Sequence, residues 1–212
     1  MLTTFNGAAD RVAMHAVRRT LSERQAELLG LPLTAIELPW PCSNEIYEQR
    51  MQAAIALAAA DGVTHIAFGD LFLEEIRDYR IRLLAESGIS PLFPIWCGVD
   101  GTPRLAQEMI SSGLQTIVTC VDARLLPGEF AGRQFDSQFL DDLPPTVDPC
   151  GERGEFHTFC WNSPLFPTPI PVQPGQIVER DGFICADLLP AIVPDPESSL
   201  RRKSSLGIPG QN

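Results

Sequence analysis

Apolar and polar positions give this chain two rhythms. Up to about residue 122, short apolar or β-branched runs alternate with stretches of helical period. Beyond it, prolines and glycines cut the sequence into shorter pieces. Residues 2–5 read as the end of a strand, turned by Asn6-Gly7. From Asp10 the chain leads into a helical region reaching Leu29, where Thr20-x-x-Glu23 has the form of a capping box and Gly30 that of a C-cap. Residues 33–38 predict a strand stopped by Pro39 and Pro41. Ser43 or Asn44 then caps a helix with Ile46, Met51, Ala54, Ile55 and Ala58 on one face.

The alternation continues. Residues 63–68 are nearly all apolar, as in a buried parallel strand. Asp70 follows as the cap of a helix striped by Phe72, Ile76, Tyr79 and Leu83. Residues 91–96 predict another strand, Thr102-Pro103 opens a helix, and residues 115–121 predict a strand ending at Asp122. Strand and helix in turn imply an α/β fold with a mostly parallel sheet. After Asp122 a loop and short helix over 128–143, a strand over 156–161 and a hairpin turning at Arg180-Asp181-Gly182 predict a smaller α+β region.

Composition narrows the function classes. A net charge of −11 opposes sequence-independent nucleic-acid binding, which needs a basic footprint. No apolar run approaches the ~20 residues of a membrane helix, and the N-terminus lacks a secretory pattern. Six cysteines stand singly without a C-x-x-C pair, which predicts reduced thiols, a cytoplasmic setting and no metal site.

The densest chemistry lies in Cys150-Gly151-Glu152-Arg153-Gly154-Glu155-Phe156-His157-Thr158. The glycines permit a tight backbone, and Glu152 and Glu155 offer acceptors to an amine or ammonium. A strand starting at Glu155 puts that carboxylate and His157 on one face, an arrangement able to transfer protons. An equally weighted reading is a glycine turn with solvated glutamates and a structural histidine. Arg77 and Arg80 share a helix face near the carboxyl end of a strand, where open α/β sheets take ligands. His15 stands at a helix end, as a ligand contact or as a satisfied structural residue.

Several ordered segments resemble the diphthamide-synthase-like family of ATP pyrophosphatases, a diphthine–ammonia ligase group among the adenine-nucleotide α-hydrolases. They are Leu2-Thr3-Thr4-Phe5-Asn6, Arg11-Val12-Ala13-Met14-His15-Ala16-Val17-Arg18, the stretch from Phe68-Gly69-Asp70 to Arg80, Pro91-Leu92-Phe93-Pro94-Ile95-Trp96, and the 150–158 segment, close to G-E-x-G-E-[FY]-x-T. The resemblance implies a Rossmann-like (HUP-type) nucleotide domain over residues 1–97 and a substrate-site domain over 98–190; the Pro, Ser, Arg and Gly composition beyond them predicts a disordered tail over 191–212. It implies adenylation of a carboxylate by ATP, with Mg2+ accompanying the nucleotide, release of pyrophosphate and attack by ammonia. Glu152, Glu155 and Thr158 would lie at the substrate or acyl-adenylate site. Gly69, Asp70, Arg77, Arg80 and His15 would line the nucleotide cleft, to which ATP or AMP binds. The family's S-G-G-x-D-S loop precedes the Thr-Thr segment at which this chain begins, so the chain is expected to be N-terminally truncated and impaired in turnover. The alternative is a non-catalytic nucleotide- or metabolite-binding module. A sheet edge exposed at Met1 would favour self-association into a homo-oligomer.

Overall fold

A computed structural model describes residues 1–191; the predicted tail lies almost wholly outside the described residues. The N-terminal strand β1 (Leu2–Asn6) pairs in parallel with β3 (Thr34–Leu38) and antiparallel with the two-residue β2 (Arg11–Val12). Helices α1 (Arg19–Leu28) and α2 (Asn44–Ala60) flank this sheet in sequence. A second parallel pair joins β4 (His65–Ala67) to β5 (Ser90–Leu92) around α3 (Glu74–Leu84). Residues 98–191 build an antiparallel sheet in the order β7-β6-β9-β8 from β6 (Gln115–Asp122), β7 (Phe156–Asn162), β8 (Val172–Arg180) and β9 (Phe183–Pro190). Helices α4 (Thr102–Ser111) and α5 (Ser137–Asp142) complete it.

The α/β class and the strand–helix alternation are present, but three expectations need correction. First, the parallel strands form two separate sheets, β2-β1-β3 and β4-β5, not one mostly parallel sheet. Residues 63–68 yield only a three-residue strand whose outer positions are exposed, because β4 has a single hydrogen-bonded neighbour. Second, residues 115–122 do not extend a parallel sheet. β6 is the central antiparallel strand, and six consecutive buried residues (117–122) hide which kind of sheet it belongs to. Third, the region from Asp10 is not helical until residue 19. Asp10, Met14 and Ala16 have positive φ, which folds 11–18 into a strand and a turn, and no side chain caps α1.

Capping follows the sequence at one site and departs from it at others. The Ser43 hydroxyl accepts from the Ile46 amide at 3.3 Å and starts α2. Asp70 does not cap α3; it pairs with Arg80 at 3.5 Å, and the N-cap position belongs to Leu73. Thr102 precedes Pro103 as expected, yet its hydroxyl donates to Asp148 at 2.7 Å instead of capping α4.

Two devices unite the halves. Val17 and Leu21, from the α1 region, pack in one buried cluster with Ile117, Phe159, Ile170 and Leu188 of the antiparallel region. Beside it, Asp187 on β9 accepts from Arg11 at 2.7 Å and from Arg18 at 3.1 and 2.6 Å. Burial pushes the Asp187 carboxyl up, but the two guanidiniums outweigh it and hold the group below its usual range. Leaving two half-covered arginines without their shared carboxylate should cost about 2 kcal/mol, or roughly 4–8 °C in a protein of this size. Asp187→Ala is therefore expected to melt earlier by that amount in a calorimetric scan, with Asp187→Asn intermediate. A melting point unchanged in both variants would remove the clamp from this account.

Candidate functional site

The parallel strands send their carboxyl ends toward the antiparallel sheet. Asn6 closes β1, Trp40 follows β3, Gly69 and Asp70 follow β4, and Phe93 and Trp96 follow β5. The loop from Asp148 to Glu155 comes back across this edge from the antiparallel side. Its Glu152 carboxylate accepts from the Leu71 amide at 2.8 Å, two residues beyond Gly69. Burial pushes the Glu152 carboxyl above its ordinary value, opposed by amide bonds from Leu71 and Phe72. One side chain thus closes the space between β4 and β7.

This loop is held by its own carboxylates. Asp148 Oδ1 accepts from the amides of Cys150 at 2.9 Å and Glu152 at 3.3 Å, while Oδ2 accepts from Thr102. Glu155 is 2% exposed and spends both oxygens on amides, Oε1 on Asp148 at 3.0 Å and Oε2 on Arg153 at 2.9 Å. The Gly151 and Gly154 amides bond to the carbonyls of Asp148 and Gly151. Every amide from 150 to 154 is therefore occupied, which leaves none to form an anion cradle. Gly151 is required twice: its φ is +69°, and a Cβ would stand 2.7 Å from the Phe156 carbonyl oxygen.

Arg77 and Arg80, expected to line a nucleotide cleft, both lie against aromatic rings. The Arg77 guanidinium lies 4.8 Å from the Trp96 ring centre and 5.4 Å from that of Phe93. Arg80 lies 5.0 Å from Phe68 while holding Asp70. Arg77 Nε is covered and has no hydrogen-bond partner.

His15 sits elsewhere than beside these arginines. Its ring packs on His157 with centres 4.4 Å apart. The Thr119 hydroxyl, 1% exposed as a residue, ties the two histidine carbonyls together at 2.9 and 3.2 Å. His157 thus pairs with His15 and not with Glu155, whose oxygens are already taken. Periodicity had no means of joining positions 142 residues apart; the signal was only that two of the three histidines fall in the quoted segments. Asp122 is committed to Arg124, whose guanidinium hydrogen bonds hold its carboxyl below the usual range against burial.

A cavity of about 290 Å³ opens between the sheets, lined by Asn6, Arg11, Met14 and Trp40 on one side and Cys120, Arg180 and Cys185 on the other. A larger one, about 620 Å³, lies against Trp161, Ile177 and Leu188 and touches none of the predicted site residues. Among the described residues no cluster of three His, Cys, Asp or Glu is placed to hold a metal ion, and no helix is long and apolar enough to cross a membrane.

Residues 101–184, which contain the whole 148–158 segment, match the family described as the diphthamide synthase C-terminal domain. Over 175 residues, or 80% of its length, the chain is 27% identical to a diphthine–ammonia ligase of Bos taurus and 26% identical to one of Homo sapiens. It spans 62% of the length of these relatives.

The histidine pair makes stability depend on pH. Burial, with His15 beside it, lowers His157 to about 4, and burial lowers His15 as well. As pH falls from about 6.5 toward 4, the unfolded chain takes up protons that the folded chain refuses. Stability therefore falls across that window and levels off below it. Glu152, raised by burial, contributes with the opposite sign above its ordinary value, so the comparison must be made between variants. His157→Gln is expected to remove on the order of 2 kcal/mol from the difference between urea unfolding at pH 7 and at pH 4.5. Parallel pH profiles for the two proteins would contradict the neutral, buried pair.

Proposed function

We propose that this chain, a member of the diphthamide synthase family through residues 101–184, serves the ATP-dependent amidation of a carboxylate. A carboxylate oxygen attacks the α-phosphorus of ATP and pyrophosphate leaves; ammonia then adds to the acyl carbon of the adenylate and AMP departs. The observation that carries this reading is the 148–155 loop, which lies within the family match and reaches Leu71 at the carboxyl edge of the parallel strands. The diphthine–ammonia ligases named above support the same reaction class.

Within it, Arg77 and Arg80 with Phe68, Phe93 and Trp96 take the anionic, planar partner, ATP or AMP, with Gly69 and Asp70 at the strand end. Mg2+ arrives as the companion of ATP. Glu152 and Asp70 give this edge a negative side suited to ammonium or to a cationic group on the substrate. Glu155 acts on the reaction as a positioning residue, fixing the loop that presents Glu152 and leads into β7, which carries Thr158. His15 packs on His157 and is tied to it through the Thr119 hydroxyl, which steadies the start of β7.

A second reading, a nucleotide-binding module without turnover, is favoured by one feature. The glycine loop at 151–154 has no free amide for phosphate. Pyrophosphate release by this chain alone is accordingly expected to be slight, and strong release would overturn that part of the proposal.

Nucleotide binding is tested first. AMP or Mg-ATP at ~100 times its Kd stabilises a one-site protein by about 2.7 kcal/mol, or roughly 5–10 °C here. Arg77→Ala with Arg80→Ala should abolish the shift, measured against that variant's own melting point without ligand. Absence of any shift with AMP, ATP or pyrophosphate would sink both readings. A shift with AMP that the double substitution leaves intact would move the site away from α3.

A further inference from the structure

Antiparallel pairing of β6 and β9 sets Cys120 directly opposite Cys185. Their Sγ atoms lie 3.1 Å apart, and both are free thiols. Cys120 is 1% exposed, yet both residues line the 290 Å³ cavity, beside Arg11 and Arg180. A small polar molecule entering that cavity meets both sulfurs. Among the described residues this is the one thiol–thiol contact within hydrogen-bonding range. We propose that Cys120 and Cys185 form a reversible dithiol–disulfide site that is oxidised by hydroperoxides through the cavity.

The surroundings assign an order to the two thiols. Cys185 shares a hydrogen bond with Cys120, and Arg180 and Arg11 add positive charge; against burial, these lower its thiol to about 7. The same hydrogen bond, followed by burial, raises Cys120. The Cys185 thiolate therefore attacks the peroxide, forming an S–O bond as the O–O bond breaks and leaving a sulfenic acid and hydroxide. Cys120 sulfur then attacks Cys185 sulfur, the S–O bond breaks, and the Cys120 proton leaves with the departing oxygen as water. In sum, two thiols and one hydrogen peroxide give one disulfide and two waters; an external dithiol returns the pair to its reduced form. The reaction uses no nucleotide and is independent of the ligase reading.

The test uses the full chain, fully reduced and then treated with hydrogen peroxide. Remaining thiols are alkylated and counted by intact mass, and linked peptides are mapped. Alkylation is expected to fall from six sites to four, with 120 and 185 in one linked peptide, and to return to six after dithiothreitol. Six sites after peroxide, or a link between Cys97 and Cys150 instead, would overturn the proposal. Two variants test the order: Cys120→Ser should give a dimedone adduct on Cys185, whereas Cys185→Ser should give none on Cys120. An adduct on Cys120 would overturn the assignment of the attacking thiol. Should either variant fail to fold, the peptide map of the parent protein decides the proposal alone.

Discussion

Backbone amides removed from water need acceptors, and the segment from 148 to 155 meets that need from its own carboxylates and carbonyls. Asp148 and Glu155 place carboxylate oxygens where a bound anion would otherwise sit, and five consecutive amides from 150 to 154 are spoken for. That arrangement makes the loop rigid enough to carry Glu152 across to Leu71. It also decides what the loop is not. A glycine-rich turn in a nucleotide-binding context invites the reading of a phosphate cradle, and here that role is closed by internal carboxylates. On the proposed reading the loop, which presents acids, faces a cation or an amine, and Arg77 and Arg80 face the anionic partner.

The N-terminal and antiparallel sheets are held together by one apolar contact and one ion-paired carboxylate. The Val17–Leu21 patch gives the interface its apolar contact with the antiparallel sheet, and Asp187 between Arg11 and Arg18 fixes its register. A separate aromatic core under β6 and β7, built on Phe130, Phe135, Phe139 and Phe156, keeps the loop's far end immobile. Phe156 is both the last anchor of the loop and a member of that core. Packing and site geometry are therefore continuous: the residue after Glu155 is buried among rings, and the turn before it allows no Cβ at Gly151.

Sequence periodicity located most helices and strands, since Met51, Ala54 and Ile55 do face a core and residues 34–38 and 156–162 are strands. Its failures share a cause. At 115–122 a run buried on both faces carries no information about strand direction, and at 11–18 the decisive feature is positive φ at non-glycine residues, which no apolar pattern encodes. The 150–158 segment stood out in the sequence as a candidate, but the parts its residues play did not. Two glycines and two acids marked the loop, yet only long-range contacts separate Glu152, which reaches outward, from Glu155, which turns inward. His15 and His157 meet because β7 runs beside the N-terminal turn, and no spacing rule reports that.

The central claim is that Asp148 and Glu155 consume the loop amides and so fix the strut that Glu152 makes to Leu71. Residue-resolved amide hydrogen exchange reads this most directly. The account predicts slow exchange at 150, 152, 153 and 71 in the parent protein, comparable with neighbouring strand amides. In Glu155→Ala, exchange at 148, 153 and 71 should rise together while β6 stays protected. Fast exchange at these amides in the parent protein, or loss confined to 148 and 153 with Leu71 unchanged, would contradict it.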